Sequence, residues 1–151
     1  MKAVLQRVTH ASVVVEGELI SEIKNGFLVL LGVDNTDTEK DADILSKKIS
    51  GMRVFEDENG KMNLSLTDIK GSLLVISQFT LLADCRKGRR PSFINAGAPD
   101  MANHLYEYFC ERIKNDGIED VKKGIFGADM KVSLLNDGPV TILLDSKELI
   151  K

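Results

Sequence analysis

Apolar and polar residues alternate through much of the first third of the chain, over Ala3 to Thr9, Ala11 to Glu16 and Leu19 to Ile23, followed by the apolar stretch Phe27 to Val33. A period of two is that of β-structure, and the short breaks at Gly17 and Asn25-Gly26 carry turn chemistry, so this region predicts a meander of strands. Thr36-Asp37-Thr38-Glu39 then supplies N-cap candidates ahead of Ala42, Leu45, Ile49 and Met52, whose three- and four-residue spacing predicts an amphipathic helix ending near Gly51. Arg53 to Glu56 resumes an extended pattern, Asp57-Glu58-Asn59-Gly60 is a turn cluster, and Ser72 to Ser77 reads as a buried strand. Residues 84–97 have no apolar period and predict a surface loop. A second helix is expected from Pro99, with Met101, Leu105, Tyr108, Phe109 and Ile113 on one face and Asn115-Asp116-Gly117 as its end. From Val121 to Leu144 the pattern returns to strands. The resulting expectation is a single α+β domain over residues 1–151, a mainly antiparallel, barrel-like sheet with two helices packed on it.

Composition narrows the classes of function. With 151 residues, 43% of them hydrophobic and 28% charged, the chain has the size and balance of one domain with its own core. A net charge of -3 confines any nucleic-acid contact to a local basic patch. Two distant cysteines, Cys85 and Cys110, and two histidines, His10 and His104, suggest neither a zinc site nor a disulfide framework, and a reducing cytoplasm is the natural compartment. Met1 to Val8 lacks the apolar core of a signal peptide, and the longest apolar run, Phe27 to Leu31, is far too short to span a bilayer.

Three segments can carry chemistry. Ser77-Gln78-Phe79-Thr80 ends a strand with two hydroxyls, an amide and backbone N–H donors at a sheet margin, where a substrate carbonyl can be held. Such hydroxyls also commonly serve only their neighbouring backbone. Arg86-Lys87-Gly88-Arg89-Arg90 is the one dense basic cluster, able to grip phosphates by charge without reading bases, or else a solvated loop. Asn136-Asp137-Gly138-Pro139-Val140-Thr141 places Gly-Pro between two strand-like segments. Proline cannot donate to a strand ladder, so the pair must form a turn, an edge or an exposed tip. Turn chemistry favours a hairpin begun by Asn-Asp-Gly; the alternative is a rigid backbone tool whose carbonyls point into a site.

Met1 to Arg7, Gly26 to Val33, Ser77 to Thr80, Arg90-Pro91-Ser92-Phe93 and Asn136 to Thr141 together resemble, in order and across the whole chain, the D-aminoacyl-tRNA deacylase family. The resemblance implies a cytoplasmic homodimer, without a cofactor or metal, that hydrolyses the ester joining a D-amino acid to the terminal adenosine of tRNA and also removes glycine from mischarged tRNA. It implies that Ser77, Gln78, Phe79 and Thr80 shape the catalytic site. It further implies that the Gly138-Pro139 bond is cis and enters the partner subunit's active site, its carbonyls crowding the space of an L side chain. Arg7, Asn136, Val140 and Thr141 belong to that selecting element, with Arg7 as a buttress. Arg86, Lys87, Arg89 and Arg90 are candidates for the tRNA backbone. An aminoacyl ester is already activated, so a positioned water, backbone oxyanion donors near Gln78 and Phe79, and the terminal ribose hydroxyl suffice in this scheme. Two competing readings are a non-catalytic RNA-binding module built on the Arg86 to Arg90 loop, and a serine or threonine esterase, which needs a base beside Ser77 or Thr80. Neither histidine has an evident carboxylate partner in the sequence.

Overall fold

The fold is organised by its first strand, β1 (Lys2–Val15), which pairs on one side with both β2 (Glu18–Ile23) and β3 (Gly26–Gly32) and on the other with β8 (Lys131–Asp145). The structure, a computed structural model, describes residues 1–150. Between β3 and β8 come α1 (Glu39–Gly51), the short pair β4 (Phe55–Glu56) and β5 (Met62–Leu64), β6 (Ser72–Ser77), a 3-10 turn (Phe79–Leu82), α2 (Pro99–Asn115) and β7 (Asp120–Lys123). A final turn of helix, α3 (Ser146–Leu149), is capped by the Asp145 carboxylate accepting from the Lys147 N–H at 3.0 Å. No helix among the described residues is long and apolar enough to cross a membrane.

The main sheet runs β2-β1-β3-β6-β7, with β8 added on the far side of β1. Its β1, β2, β3 and β8 pairings are antiparallel, as expected, but β3-β6 and β6-β7 are parallel, which makes the sheet mixed. The parallel part is the buried part. Phe27, Val29, Leu31, Leu73 and Val75 face the helices, while Leu28, Leu74 and Ile76 face a second core, so these strands read as continuous apolar runs. Side chains cannot intervene where β3 meets β6: a Cβ at Gly26 would collide with the Ser72 carbonyl. The sheet curls until its ends approach, and the Ser21 hydroxyl of β2 donates to the Lys123 carbonyl of β7 at 2.7 Å. Val8, Ala11, Val13 and Ile23 fill the enclosed side. On the other side Leu45 and Ile49 of α1 and Leu105, Tyr106, Phe109 and Ile113 of α2 cover the sheet.

Two expectations are corrected. The segments expected over Ala3 to Thr9 and Ala11 to Glu16 are one strand ending at Val15, in which the face turned inward changes: Ala3 and Leu5 point to the helices, whereas Val8, Ala11 and Val13 point into the barrel. Nor do Lys131 to Leu135 and Val140 to Leu144 form a hairpin. Both belong to β8 and both pair with β1, Leu134 with Ala11 and Ile142 with Leu5. A strand of 14 residues offers enough edge to hold both arms, so they never need each other. Thr141 pairs with Gln6 and Asn136 with Val8, which leaves Asp137 to Val140 bulging out opposite Arg7 alone.

Candidate active site

The turn after β6 is where regular strand geometry stops. Gln78 leaves the strand at φ -146° and ψ 85°, and its N–H still donates to the Leu31 carbonyl at 2.8 Å. That donor is therefore spent within the sheet, so Gln78 itself offers no free backbone N–H at the turn. The next two N–H groups, of Phe79 and Thr80, open the 3-10 turn and have no acceptor within it. The Gln78 amide donates to the Thr80 hydroxyl at 2.6 Å, and the Phe79 ring is 58% exposed.

These residues form the lip of a cavity of about 700 Å³. Leu31, Val33 and Ile76 make its floor, Ala102 and Tyr106 of α2 one wall, and Phe126 to Met130 another. Tyr106 is fixed by its phenol, which donates to the Val75 carbonyl at 2.7 Å and whose pKa burial pushes upward. None of Tyr106, Phe126, Gly127, Ala128 or Met130 stood out in the sequence. Its one hint of space was the run of small residues Ala96-Gly97-Ala98, which also lines the cavity.

No imidazole reaches this cavity. His104 lies on the exposed face of α2 with Nε2 at 3.1 Å from Glu39 Oε1, so it does have a carboxylate partner, but one remote from Ser77 and Thr80 in the cavity lining. Among the described residues the His10 ring hydrogen-bonds only to the Thr9 hydroxyl, at 3.3 Å. A side-chain base beside Thr80 is thus missing from the residues that line the cavity, which contain one ionisable carboxylate, Asp129, paired to Lys131 at 3.2 Å.

The second predicted element stands elsewhere. The cavity lining includes neither Arg7 nor any of residues 136–141, so the chain does not bring Gly138-Pro139 to its own Ser77 to Thr80. The Gly138-Pro139 peptide is cis, and Gly138 has φ +135°, a region that L residues avoid. Asn136 braces the bulge from within: its Oδ1 accepts from the Val140 N–H at 3.0 Å and its Nδ2 donates to the Thr141 hydroxyl at 2.9 Å. Arg7 braces it from below. The guanidinium is buried rather than on the surface, with Nε donating to the Asp137 carbonyl at 3.0 Å and Nη1 to the Val54 carbonyl at 2.7 Å. A Cβ on Gly138 would sit 2.8 Å from Val140 Cγ2 and 3.1 Å from Arg7 Nη2.

The basic loop divides in two. Arg86 is committed to Asp84 through Nε at 2.9 Å and Nη2 at 2.7 Å, and these bonds hold the Asp84 carboxyl down at about 2. Lys87, Arg89 and Arg90 are exposed and form no salt bridge among the described residues. The loop is closed at its base by reciprocal backbone bonds between Asp84 and Ser92, 2.8 and 2.9 Å.

The family of this architecture is decided by comparison with known sequences: the D-Tyr-tRNA(Tyr) deacylase model matches residues 4–145. The chain belongs to this family. A D-aminoacyl-tRNA deacylase of Thermosipho melanesiensis is 57% identical over 149 residues, 99% of each chain, and one of Bacillus cytotoxicus is 54% identical over 147 residues, 97% of this chain and all of that one. A solved structure described as c-Myc DNA Unwinding Element Binding Protein superposes with a TM-score of 0.91 at 46% identity, covering 96% of this chain and 98% of that one. A probable eukaryotic D-amino acid tRNA deacylase shares the fold, with a TM-score of 0.78 at 17% identity over 95% of this chain and 97% of that one.

Proposed function

We propose that this protein hydrolyses the ester bond of D-aminoacyl-tRNA, releasing the free D-amino acid and tRNA in the cytoplasm. The observation that carries the reading is family membership over residues 4–145 together with a cavity whose lip is Ser77 to Thr80. The cavity is within the size range of small-molecule sites, about 300–1,000 Å³. In this reading it takes the terminal adenosine and its amino acid. The Phe79 and Thr80 N–H groups face the carbonyl oxygen as charge develops on it. Water attacks the carbonyl carbon, the ester C–O bond breaks, and the ribose oxygen leaves as a hydroxyl. Because the cavity supplies no imidazole, the proton traffic falls to water and the neighbouring ribose hydroxyl, while Ser77, Gln78 and Thr80 shape and hydrogen-bond the site.

Chirality is read by exclusion. D- and L-aminoacyl esters differ by exchange of a hydrogen and a side chain at one carbon, so a rigid wall on one side separates them better than any added attraction. The Asp137 to Val140 bulge is such a wall, and its distance from the chain's own cavity lining supports delivery to the cavity of a partner subunit. A homodimer is favoured by β8, which among the described residues pairs only with β1 and displays Leu135 and Leu143 at 47% and 76% exposure. Glycine lacks a side chain to collide and is accepted. The test is release of amino acid from matched D-, L- and glycyl-tRNA. D and glycine esters should be cleaved and the L ester spared; equal rates on D and L would sink the reading.

A further inference from the structure

Two aromatic rings stand in the open at the mouth of the cavity. Phe79 and Phe93 meet edge to face, centroids 5.0 Å apart and planes at 73°, yet they remain 58% and 36% exposed. Ile94 beside them is 77% exposed. Both rings line the cavity and stay exposed, so they are within reach of a polymer whose last unit occupies it. Three to six residues before Phe93 in the chain lie Arg90, Arg89 and Lys87, three cations without salt-bridge partners among the described residues, on a body of net charge -3. Exposed aromatics flanked by unpaired cations are the combination that holds single-stranded nucleic acid: rings stack bases of any identity, and cations follow the phosphates.

We propose that Phe93, supported edge-on by Phe79, is a stacking platform for the nucleotide preceding the terminal adenosine, with Lys87, Arg89 and Arg90 beside its phosphate. This rests on the hydrolase reading above. The platform makes the enzyme recognise a 3′ end rather than an aminoacyl-nucleoside, and does so without regard to tRNA sequence.

The experiment compares kcat/KM for a D-aminoacyl ester of adenosine with that for the same ester on a CCA trinucleotide. The wild type should gain about 5- to 150-fold from the two added nucleotides, the range expected of base–aromatic stacking. In Phe93→Leu, which keeps the apolar bulk but removes the ring, that gain should fall by about fivefold or more, leaving only what the cations contribute at the phosphate. Binding is read independently with a trinucleotide carrying 2-aminopurine at the penultimate position and a non-hydrolysable 3′-amide: its fluorescence should be quenched by the wild type and much less by Phe93→Leu. An undiminished gain in a folded Phe93→Leu protein, or an unquenched probe in the wild type, overturns the platform. So does a Phe93→Leu protein that loses the gain as its dimer dissociates while still quenching the probe, which would assign the ring to a subunit contact. Absence of hydrolysis of either ester by the wild type would instead defeat the hydrolase reading, and the probe would still decide the platform.

Discussion

Replacing Arg7 with methionine removes the brace under the Asp137 to Val140 bulge while keeping a side chain of similar length. Two hydrogen bonds disappear, Nε to the Asp137 carbonyl and Nη1 to the Val54 carbonyl. The Val54 bond is buried, so that carbonyl is left without its donor, at a cost of about 1–3 kcal/mol. The Asp137 carbonyl is only partly buried and regains water, so its loss is worth about 1 kcal/mol. The loose contacts of the guanidinium with Glu56 at 3.9 Å and Asp137 at 3.8 Å involve carboxylates exposed to solvent and contribute little. The sum is about 2–4 kcal/mol, which for a domain of this size lowers Tm by about 4–16 °C. The functional consequence should be larger than the thermal one, since a wall displaced by an ångström no longer excludes. Thermal unfolding followed by circular dichroism, with D- and L-aminoacyl-tRNA hydrolysis on the same preparation, measures both. Arg7→Lys, able to satisfy one of the two carbonyls, should fall between. A Tm and a D/L ratio both unchanged in Arg7→Met would refute the brace.

Four further outcomes are expected. Thr80→Ala should lose less than about tenfold in kcat/KM, because no base stands beside the hydroxyl to activate it; a trapped acyl-Thr80 adduct in a mass spectrum would overturn this. Gly138→Ala forces a Cβ against Val140 and Arg7 at φ +135° and should destabilise the fold by about 1–3 kcal/mol and reduce the D/L ratio, read by denaturant titration and hydrolysis assays. Native protein at pH 8 should yield one reactive thiol, the exposed Cys85, and two after denaturation, since burial pushes the Cys110 thiol up to about 12; two in the native state would contradict the packing of α2. Raising salt from about 50 to 200 mM should raise KM for aminoacyl-tRNA, with a shallower log–log slope in Arg89→Gln/Arg90→Gln.

The fold was legible where periodicity is local. Both long helices and strand β6 fall where spacing places them, because a helix stripe or a buried run is written in consecutive residues. The bulge was not legible as such. Asn-Asp-Gly-Pro satisfies every local rule for a turn, and what prevents a hairpin is β1, whose edge holds both arms from more than a hundred residues away. The burial of Arg7, a residue singled out through the family resemblance alone, was hidden for the same reason: its acceptors lie 130 and 47 residues along the chain, and an arginine in an alternating strand gives no sign of it. The cavity was the least visible, being assembled from β3, β6, α2 and the segment ahead of β8, for the most part by small or apolar residues. Ser77 to Thr80 were found by their polarity at a strand end, but which of their N–H groups are open depended on Leu31 accepting from Gln78.

Both elements of the proposed mechanism sit where a strand of the main sheet departs from regular pairing. After Ser77 the chain stops following β3 and turns, which frees two N–H groups; between Asn136 and Thr141 β8 leaves β1, which pushes a short stretch of backbone outward. Each departure is clamped by its flanks. Leu74, Val75 and Ile76 are fully or almost fully buried ahead of the turn, and Leu134 and Ile142 pack on the two cores at either side of the bulge. Rigid flanks fix the direction of backbone dipoles without relying on a mobile side chain, and fixed dipoles are what stabilise a developing charge or refuse a misplaced group at no cost of reorganisation. A site made in this way tolerates truncation of its polar side chains and is sensitive to anything that lets the backbone move, which is why Thr80→Ala and Arg7→Met should differ so widely in effect although only the first alters the lip of the cavity.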